Sequence, residues 1–518
     1  MSLLPQDQSI AAEQILYTAA QVRELDRLAI AGGITGIELM TRAGLAAFRE
    51  VQQRWLDRSP IEVFCGGGNN GGDGYIIAAL AKENGLSVRA WALADPGSLK
   101  GDAALAVQRA VDAGVVIRAW QGEEPNPDGV IVDALLGTGL NGVVREKYAQ
   151  AISIINASAA PVLAIDVPSG LCSDTGSQLG GAVRASATIS FIGRKRGLYT
   201  LDGVDCAGGK VFDSLAVPRD VYQQLDVAAV RVLRVDGPSM LSQWGERPRG
   251  AHKGMFGHVL VIGGDLGMAG ASLLAATAAA RGGAGLVSCI TRPEHSGVFI
   301  AARPELMVHG LSCEQLMSGA VLNDLIEKAS VIVIGPGLGL GEWGQMLLNA
   351  VLNSDKPLVI DADALNLLAQ TPEILHSHRG PRILTPHPGE AARLLACGTA
   401  ELQCDRFASV LALRDKYQAT VLLKGAGTLI ADAECASPIY LNSGGNPGMA
   451  TGGMGDVLSG VIAAFVAQGH APAAATCLAA AVHSAAADCA ARQGERGMLA
   501  SDVIDNLRGV INGYAAVS

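Results

Sequence analysis

The sequence predicts an α/β protein with two domains, each a mainly parallel β-sheet sandwiched by helices. Three observations support this fold class. The chain has 518 residues, too many for one ordinary hydrophobic core. Short apolar runs, typical of buried parallel strands, alternate with amphipathic helical stretches in both halves. Residues 235–254 are rich in Gly, Pro and charge, which predicts a boundary near residue 240 between domains at 1–235 and 240–518.

The first half begins with a helical pattern and continues as strands and helices in alternation. The strands are short apolar runs, and the helices carry apolar residues at helical spacing. In chain order, the pattern predicts a helix at 18–34, a strand at 61–65, a helix at 75–85, a strand at 88–93, a helix at 102–114, a strand at 129–137, a helix at 145–158, and strands at 162–170 and 187–193.

The second half repeats this architecture without repeating the sequence. It predicts a strand at 258–264, a helix at 270–285, a strand at 331–337, a helix at 342–354, strands at 357–365, 382–390 and 420–432, and an Ala-rich helical end. In open α/β sheets, ligands bind beyond the carboxyl ends of the strands. Polar residues that directly follow a strand are therefore the candidates for function.

Composition and charge exclude several classes of protein. The net charge is −10, so we expect no nucleic-acid binding, although Gly-rich loops can bind phosphate without basic residues. Ten scattered cysteines predict reduced thiols and no structural zinc. We find neither a signal-peptide pattern nor an unbroken apolar run of membrane length. We therefore expect a cytoplasmic enzyme without a membrane partner.

The stretch CGGGNNGGDG, residues 65–74, carries more glycine than a tight strand-to-helix turn needs. Its position predicts a phosphate or nucleotide cradle built from backbone amides. Three oxygen-bearing residues, Asn70, Asp133 and Ser169, could converge on a hard cation, although each alone is more typical of a cap or turn. Asp166 follows an apolar strand and is a candidate general acid/base.

GGGNNGGDG, VDALLGTGL and DVPSGLCSDTG, in this order, resemble the YjeF N-terminal domain, the NAD(P)H-hydrate epimerase family, over about residues 10–230. The resemblance implies a Rossmann-like fold, with Asp166 as the acid/base at the nicotinamide ring. It implies a potassium ion on Asn70, Asp133 and Ser169. It also implies that the hydrated dinucleotide contacts Asp166 and two loops, namely Asn69, Asn70, Gly71, Gly72 and Asp73, and Gly137, Thr138, Gly139, Leu140, Asn141, Gly142 and Val143.

Further candidates follow strands of the second half. His387 lies between two prolines, which favours a ligand contact over a structural histidine. Lys424 begins a Gly-rich turn suited to a nucleotide phosphate. Asp361 and Asp363, in DADALN, predict a metal site, a polar network or a helix cap. Gly-rich residues before Asp456 predict an anion hole at a helix N-terminus, whose dipole should lower the pKa of Asp456 and leave it ready to accept a proton.

A glycine anion hole followed by Asp resembles the ribokinase-like superfamily. The motifs GPGLG, DADALN, TPHPGE, KGAGT and NPGMATGGMGDVLSG together resemble the YjeF C-terminal domain, the ADP-dependent NAD(P)H-hydrate dehydratase family, over about residues 245–512. Met454 stands where that family usually has Thr. The resemblance implies ADP as co-substrate, a magnesium ion, Asp456 as catalytic base, nucleotide contacts from Lys424, Gly425, Ala426, Gly427, Thr428 and Gly455, and contacts to the hydrated dinucleotide from Ala271, Gly337, His387 and Asp456.

Together the two resemblances imply a bifunctional repair enzyme that binds hydrated NADH or NADPH and ADP, in a homo-oligomer. The first domain would interconvert the R and S hydrates, and the second would dehydrate the S form at the expense of ADP. The alternative is a small-molecule kinase, acting on a vitamin precursor, fused to a nucleotide-sensing or partner-binding module.

Overall fold

The computed structural model describes residues 14–225, 232–235 and 237–513. The chain divides into two compact units, Ile15–Val232 and a second that contains Leu233–Ser518. This division falls just before the Gly- and Pro-rich stretch in which the sequence predicts the domain boundary.

The first unit contains a seven-stranded parallel sheet in the order β4-β3-β2-β5-β6-β7-β8. Successive strand residues point to opposite faces, so Val63 packs into one apolar cluster and Phe64 into another. The sheet is therefore covered on both faces, as predicted. The seven strands of the sheet are β2 (Ile61–Cys65), β3 (Val88–Ala92), β4 (Val116–Ala119), β5 (Val130–Ala134), β6 (Val162–Ile165), β7 (Ala187–Phe191) and β8 (Gly209–Asp213). A further short strand of this unit, β1 (Ile15–Leu16), lies outside the sheet.

Seven helices of the first unit are described. Sequence patterns missed the second, a 19-residue helix, as well as the strands β4 and β8. Strand β4 is mostly exposed and so lacks the apolar run of a buried strand. The helices are α1 (Ala19–Ala31), α2 (Gly36–Arg54), α3 (Asn69–Glu83), α4 (Asp102–Asp112), α5 (Glu146–Ala157), α6 (Gly203–Cys206) and α7 (Arg219–Gln223).

The loop formed by the Gly-rich stretch after β2 is shorter than the sequence predicts. Helix α3 already begins at Asn69, so three of its glycines are helical. A Cβ at Gly71 would lie 2.1 Å from the carbonyl oxygen of Gly66, and one at Gly74 would lie 2.7 Å from Ala134 Cβ. These glycines let the helix pack closely against the strand and loop beneath it, which is a structural reason for glycine at these positions.

Gly71→Ala is expected to destabilise the first unit by roughly 1–3 kcal/mol, the usual cost of an overpacked position. The added Cβ would collide with backbone atoms, which cannot rotate away as a side chain can. Differential scanning calorimetry of the full chain measures the change. Gly139→Ala is the matched control, because a Cβ there meets no atom within 4 Å. Equal transition temperatures for the two variants would contradict this account of Gly71.

The second unit is built on a sheet with the consecutive order β18-β17-β16-β15-β14-β13-β10-β11-β12. Pairs from β10 to β16 are parallel, and β17 runs antiparallel to both neighbours. The strands are β9 (Val232–Arg234), β10 (His258–Ile262), β11 (Leu286–Thr291), β12 (Met307–Gly310), β13 (Val331–Ile334), β14 (Leu358–Ile360), β15 (Arg382–Leu384), β16 (Thr420–Leu423), β17 (Thr428–Ala431) and β18 (Ile439–Asn442).

Thirteen helices are described in the second unit. Helix α19, extended to Gln493, has the length and composition of a membrane span, but 83% of its apolar window is buried inside the protein, as in a core helix. The helices are α8 (Gly237–Ser242), α9 (Ala269–Arg281), α10 (Ser296–Ala302), α11 (Cys313–Ser318), α12 (Ala320–Lys328), α13 (Glu342–Leu352), α14 (Ala362–Gln370), α15 (Pro388–Leu395), α16 (Thr399–Cys404), α17 (Arg406–Tyr417), α18 (Met454–Ala467), α19 (Pro472–Ala490) and α20 (Ala500–Ile511).

Several strand predictions in this unit extend too far along the chain. The strand predicted at 382–390 ends at Leu384, and helix α15 begins at Pro388. The strand predicted at 357–365 ends at Ile360, because Asp361 accepts a hydrogen bond from Ala362 N and caps α14. The strand predicted at 420–432 is two antiparallel strands, since Gly425 and Gly427 adopt positive φ and reverse the chain. These strand ends and turns place polar side chains at the carboxyl edge of the sheet.

Candidate active sites

The first unit holds a cavity of about 710 Å³ beyond the carboxyl ends of its central strands. The loops after β2 and β5 and the residue after β6 border it, as expected for an open parallel sheet. Most predicted substrate contacts line it, whereas Gly71, Gly72 and Gly142 do not. The predicted residues that line it are Asn69, Asn70, Asp73, Gly137, Thr138, Gly139, Leu140, Asn141, Val143 and Asp166.

Asp166 is ion-paired with Lys195 at the cavity wall. Its backbone has φ 67°, a left-handed conformation that is uncommon for residues other than glycine. Lys195 is 1% exposed, and its ammonium also donates to the carbonyl of Phe191 at 2.8 Å. A buried ammonium in contact with the candidate acid/base is a functional group that the sequence motifs missed. The basic run GRKRG, residues 193–197, was its only signal.

Helix α1, which no motif singled out, forms another wall of this cavity. It contributes Arg23 and Asp26, three residues apart, on the same side of the helix. Burial raises the pKa of Asp26 to about 6, and it raises the pKa of Asp73 well above its usual range. Four aspartates, Asp26, Asp73, Asp102 and Asp166, therefore line the cavity together with Lys195, and burial favours the protonated form of Asp73.

The three predicted cation ligands are linked through one loop. Ser169 Oγ donates to Asp133 Oδ1 at 2.6 Å, and it accepts from the amide of Leu136 at 2.8 Å. Next along the chain, Gly137 packs against Asn70, whose Oδ1 would lie 3.3 Å from a Cβ at 137. Asp133 and Ser169 are fully buried, and burial raises the pKa of Asp133 to about 6.

A buried ion pair lies at the carboxyl edge of the second sheet. Lys424 Nζ donates to Asp361 Oδ1 at 2.8 Å, and Ser459 Oγ donates to Asp361 Oδ2 at 2.6 Å. Glu390 Oε2 lies 3.9 Å from the same ammonium. Of the predictions for Asp361, the polar network and the helix cap are confirmed.

Asp456 lies in the first turn of α18, as the sequence predicts, but its proton affinity differs from expectation. The predicted lowering of its pKa by the helix dipole is wrong. Burial and the neighbouring charge of Asp361 raise the pKa to about 7, against the opposing effect of Lys424. At neutral pH the carboxyl group therefore exchanges readily between its two protonation states, which suits a general base.

His387 caps the N-terminus of α15. Its Nδ1 accepts from the amides of Gly389 at 3.0 Å and Glu390 at 3.3 Å, and its side chain is 50% exposed. Burial and the charge of Lys424 lower the pKa of His387. The imidazole is therefore neutral at physiological pH, and its Nε2 faces the Glu390 carboxylate at 3.3 Å.

The turn between β16 and β17, residues Lys424 to Thr428, is held by a buried arginine. Arg406 donates to the carbonyls of Ala426 at 2.7 Å, Lys424 at 3.0 Å and Leu423 at 3.2 Å. It is 1% exposed, and no motif pointed to it. Its guanidinium fixes the backbone of the predicted nucleotide-binding turn.

The GPGLG loop after β13 is tied to α14 by Asp363. Asp363 Oδ2 accepts from the amide of Gly339 at 2.9 Å. Gly337 has φ 59°, and a Cβ on it would lie 3.3 Å from Ala271 Cβ, so these two predicted substrate contacts are neighbours. Asp363 thus orders the loop that carries Gly337.

Met454, the departure from the family pattern, begins α18 and is 6% exposed. Its side chain is part of the packed interior of the unit. A thioether there is consistent with packing, and the backbone amides of the helix N-terminus are retained.

Two family models match the chain. One, described as NAD(P)H-hydrate dehydratase, matches residues 259–508, and the other, described as YjeF-related protein N-terminus, matches residues 36–197. A solved structure of ADP/ATP-dependent NAD(P)H-hydrate dehydratase from Bacillus subtilis, co-crystallised with ATP and Mg²⁺, is 29% identical with a TM-score of 0.48. That match covers 54% of this chain and 97% of that one.

Relatives match the chain over nearly its whole length. The bifunctional NAD(P)H-hydrate repair enzyme Nnr of Coxiella burnetii is 47% identical over 499 residues, covering 96% of this chain and 99% of that protein. The protein of the same name from Escherichia coli is 44% identical, covering 93% of this chain and 90% of that one. At this identity and coverage, the chain belongs to the family of bifunctional NAD(P)H-hydrate repair enzymes.

Proposed function

We propose that the first unit epimerises hydrated NAD(P)H and that the second dehydrates its S form with ADP. The observation that carries the proposal is the presence, in one chain, of two separate sites with proton-transfer groups. These are the Asp166–Lys195 pair in one unit and Asp456 beside the Asp361–Lys424 pair in the other. The kinase alternative leaves the first site without a role.

Epimerisation inverts C6, the ring carbon that carries the hydroxyl group and is bonded to the ring nitrogen. An acid protonates the leaving hydroxyl, water departs, and the nitrogen lone pair stabilises the resulting cation. Water then adds to the opposite face and gives its proton to a base. Asp73, whose burial raises its pKa well above the usual range, is suited to the acid role, and Asp166 beside Lys195 to the base role.

Potassium fits the first site. The amide oxygen of Asn70 is buried and has no hydrogen-bond partner among the described residues. Asn70, Asp133 and Ser169 would hold the ion, which when bound supplies positive charge beside the buried Asp133 carboxylate. Exchange of K⁺ for choline is expected to slow epimerisation and lower the thermal transition of the first unit. No change in either would exclude this site.

Dehydration in the second site would proceed by phosphoryl transfer. The oxygen of the C6 hydroxyl attacks the β-phosphate of ADP and releases AMP, while Asp456 takes the proton of that hydroxyl. Loss of inorganic phosphate from C6 and of a C5 proton then restores the ring double bond. The backbone amides at the N-terminus of α18 donate hydrogen bonds to the negatively charged phosphoryl group. The turn from Lys424 to Thr428 contacts the nucleotide.

Magnesium has no dedicated ligand set here. The described residues contain no group of three or more His, Cys, Asp or Glu side chains able to hold a metal. Asp361 is occupied by Lys424 and Ser459, and Asp363 by the Gly339 amide. Asp361 and Asp363 thus already have protein partners, and the expected Mg²⁺ stays a prediction.

We further propose a cytoplasmic homo-oligomer that binds neither nucleic acid nor membranes. The net charge of −10 and the burial of α19 support the absence of those partners. Light scattering in solution tests the oligomer, and a monomer at micromolar concentration would contradict it. Cell fractionation tests the localisation, and protein in the membrane fraction would contradict it.

The function is tested with a mixture of R- and S-hydrated NADPH and ADP, followed by the near-ultraviolet absorbance of the restored dihydropyridine. We expect complete conversion of both epimers, with one AMP and one phosphate formed per NADPH. Conversion of the S form alone would exclude epimerisation. No conversion, with phosphorylation of a precursor alcohol instead, would favour the kinase.

A further inference from the structure

Asp361 connects three elements that meet at the second site. It follows β14, and its two carboxylate oxygens accept from Lys424 at the end of β16 and from Ser459 in α18, at 2.8 and 2.6 Å. It is 1% exposed, so no solvent competes for these bonds. A buried carboxylate in such contacts fixes the position of both donors.

The ion pair lies directly against the first turn of α18. A Cβ at Gly455 would stand 3.0 Å from Lys424 Nζ and 3.6 Å from Asp361 Oδ2. Asp456 is the next residue of that turn, and Ser459 follows it by three positions, on the same side of the helix. The pair thus lies beside both the helix N-terminus and the Asp456 carboxyl group.

We infer that Asp361 is a positioning residue for dehydration, which holds the Lys424 ammonium at the N-terminus of α18 and keeps Asp456 a competent base. The inference rests on the dehydratase function proposed above. Without Asp361, Lys424 would lose the bond that sets its place beside the incoming phosphoryl group. Asp456 would at the same time face a Lys424 charge that has lost its nearer carboxylate partner.

The sign of the effect on Asp456 follows from its charged neighbours. Asp361, Asp363 and Glu390 raise the pKa of Asp456, and Lys424 lowers it. When the charge of Asp361 is removed, less negative charge opposes the effect of Lys424 on Asp456. The pKa of Asp456 should therefore fall. The acid limb of the pH profile, where activity is lost as Asp456 takes up a proton, should then move to lower pH.

The test compares Asp361→Asn with Ser459→Ala in the full chain, using S-hydrated NADPH and ADP. For Asp361→Asn we expect kcat to fall by about tenfold or more above the acid limb, KM for ADP to rise, and the acid limb to move down by roughly one pH unit. Ser459→Ala keeps the ion pair and should leave the acid limb in place. A merely structural role for Asp361 would lower activity without moving that limb.

Two controls keep the outcomes distinct. If the wild-type chain does not dehydrate the S hydrate with ADP, the proposed function fails, whatever the variants do. If the wild type is active and Asp361→Asn keeps both its pH profile and its KM for ADP, the present inference fails. Should Asp361→Asn lose the thermal transition of the second unit, Asp361→Ser, which is no larger than Asp, replaces it under the same criteria.

Discussion

Asp456→Asn is expected to lower the rate of dehydration by roughly 10²–10⁴-fold, the usual contribution of a general base. Asn has nearly the same shape as Asp but cannot accept the hydroxyl proton. In the wild type, the pKa of about 7 makes the base ionised above that pH and protonated below it, so dehydration should decline as pH falls through about 7. Stopped assays with S-hydrated NADPH and ADP at several pH values measure both effects.

The matched control is Asp505→Asn, which removes an exposed carboxylate from α20 of the same unit. It should leave the rate and the pH profile unchanged. The rate of epimerisation, measured in the same preparations, should be equal in the wild type, Asp456→Asn and Asp505→Asn. An Asp456→Asn variant that dehydrates at the wild-type rate would remove Asp456 from the mechanism.

Asp166→Asn is expected to lower the rate of epimerisation by a similar factor of roughly 10²–10⁴. The amide cannot carry the proton, and it leaves the buried Lys195 ammonium without its carboxylate partner. Asn tolerates the left-handed backbone at this position, so the fold should be preserved. Supplied with pure R hydrate and ADP, the variant should form almost no NADPH, whereas with S hydrate it should match the wild type.

Asp57→Asn, at an exposed position of the first unit, serves as the control and should consume both hydrates like the wild type. If Asp166→Asn binds the hydrate and consumes its R form at the wild-type rate, the first unit has a binding role and the epimerisation proposal is wrong.

The fold class was predictable from local patterns because buried parallel strands are short apolar runs that need no long-range information to be seen. The strand pattern located β2, β5, β10 and β13, and glycine loops after strands marked the edge where ligands bind. The sequence missed β4, because an exposed strand leaves no continuous apolar run. Strand ends and turns also escaped it: the strand predicted at 357–365 stops at Ile360, and two positive-φ glycines reverse the chain after Lys424.

Residue types and their order by themselves determined the two-part family, and with it the candidates Asp166, Asp133, Lys424 and Asp456. Motif resemblance requires only residues close together in sequence. Packing decided which of the glycines face a cavity and which allow two backbone segments to approach closely. Glycine suits both roles, so its presence in the sequence does not distinguish them.

Only the tertiary structure decided the electrostatics of the two sites. Lys195 comes 29 residues after Asp166, and Lys424 comes 63 residues after Asp361, so no local pattern shows that they pair. The pKa of Asp456 was predicted in the wrong direction for the same reason. The helix dipole is visible in the sequence, whereas burial and the charge of Asp361, which outweigh it, arise only when distant strands bring these groups together.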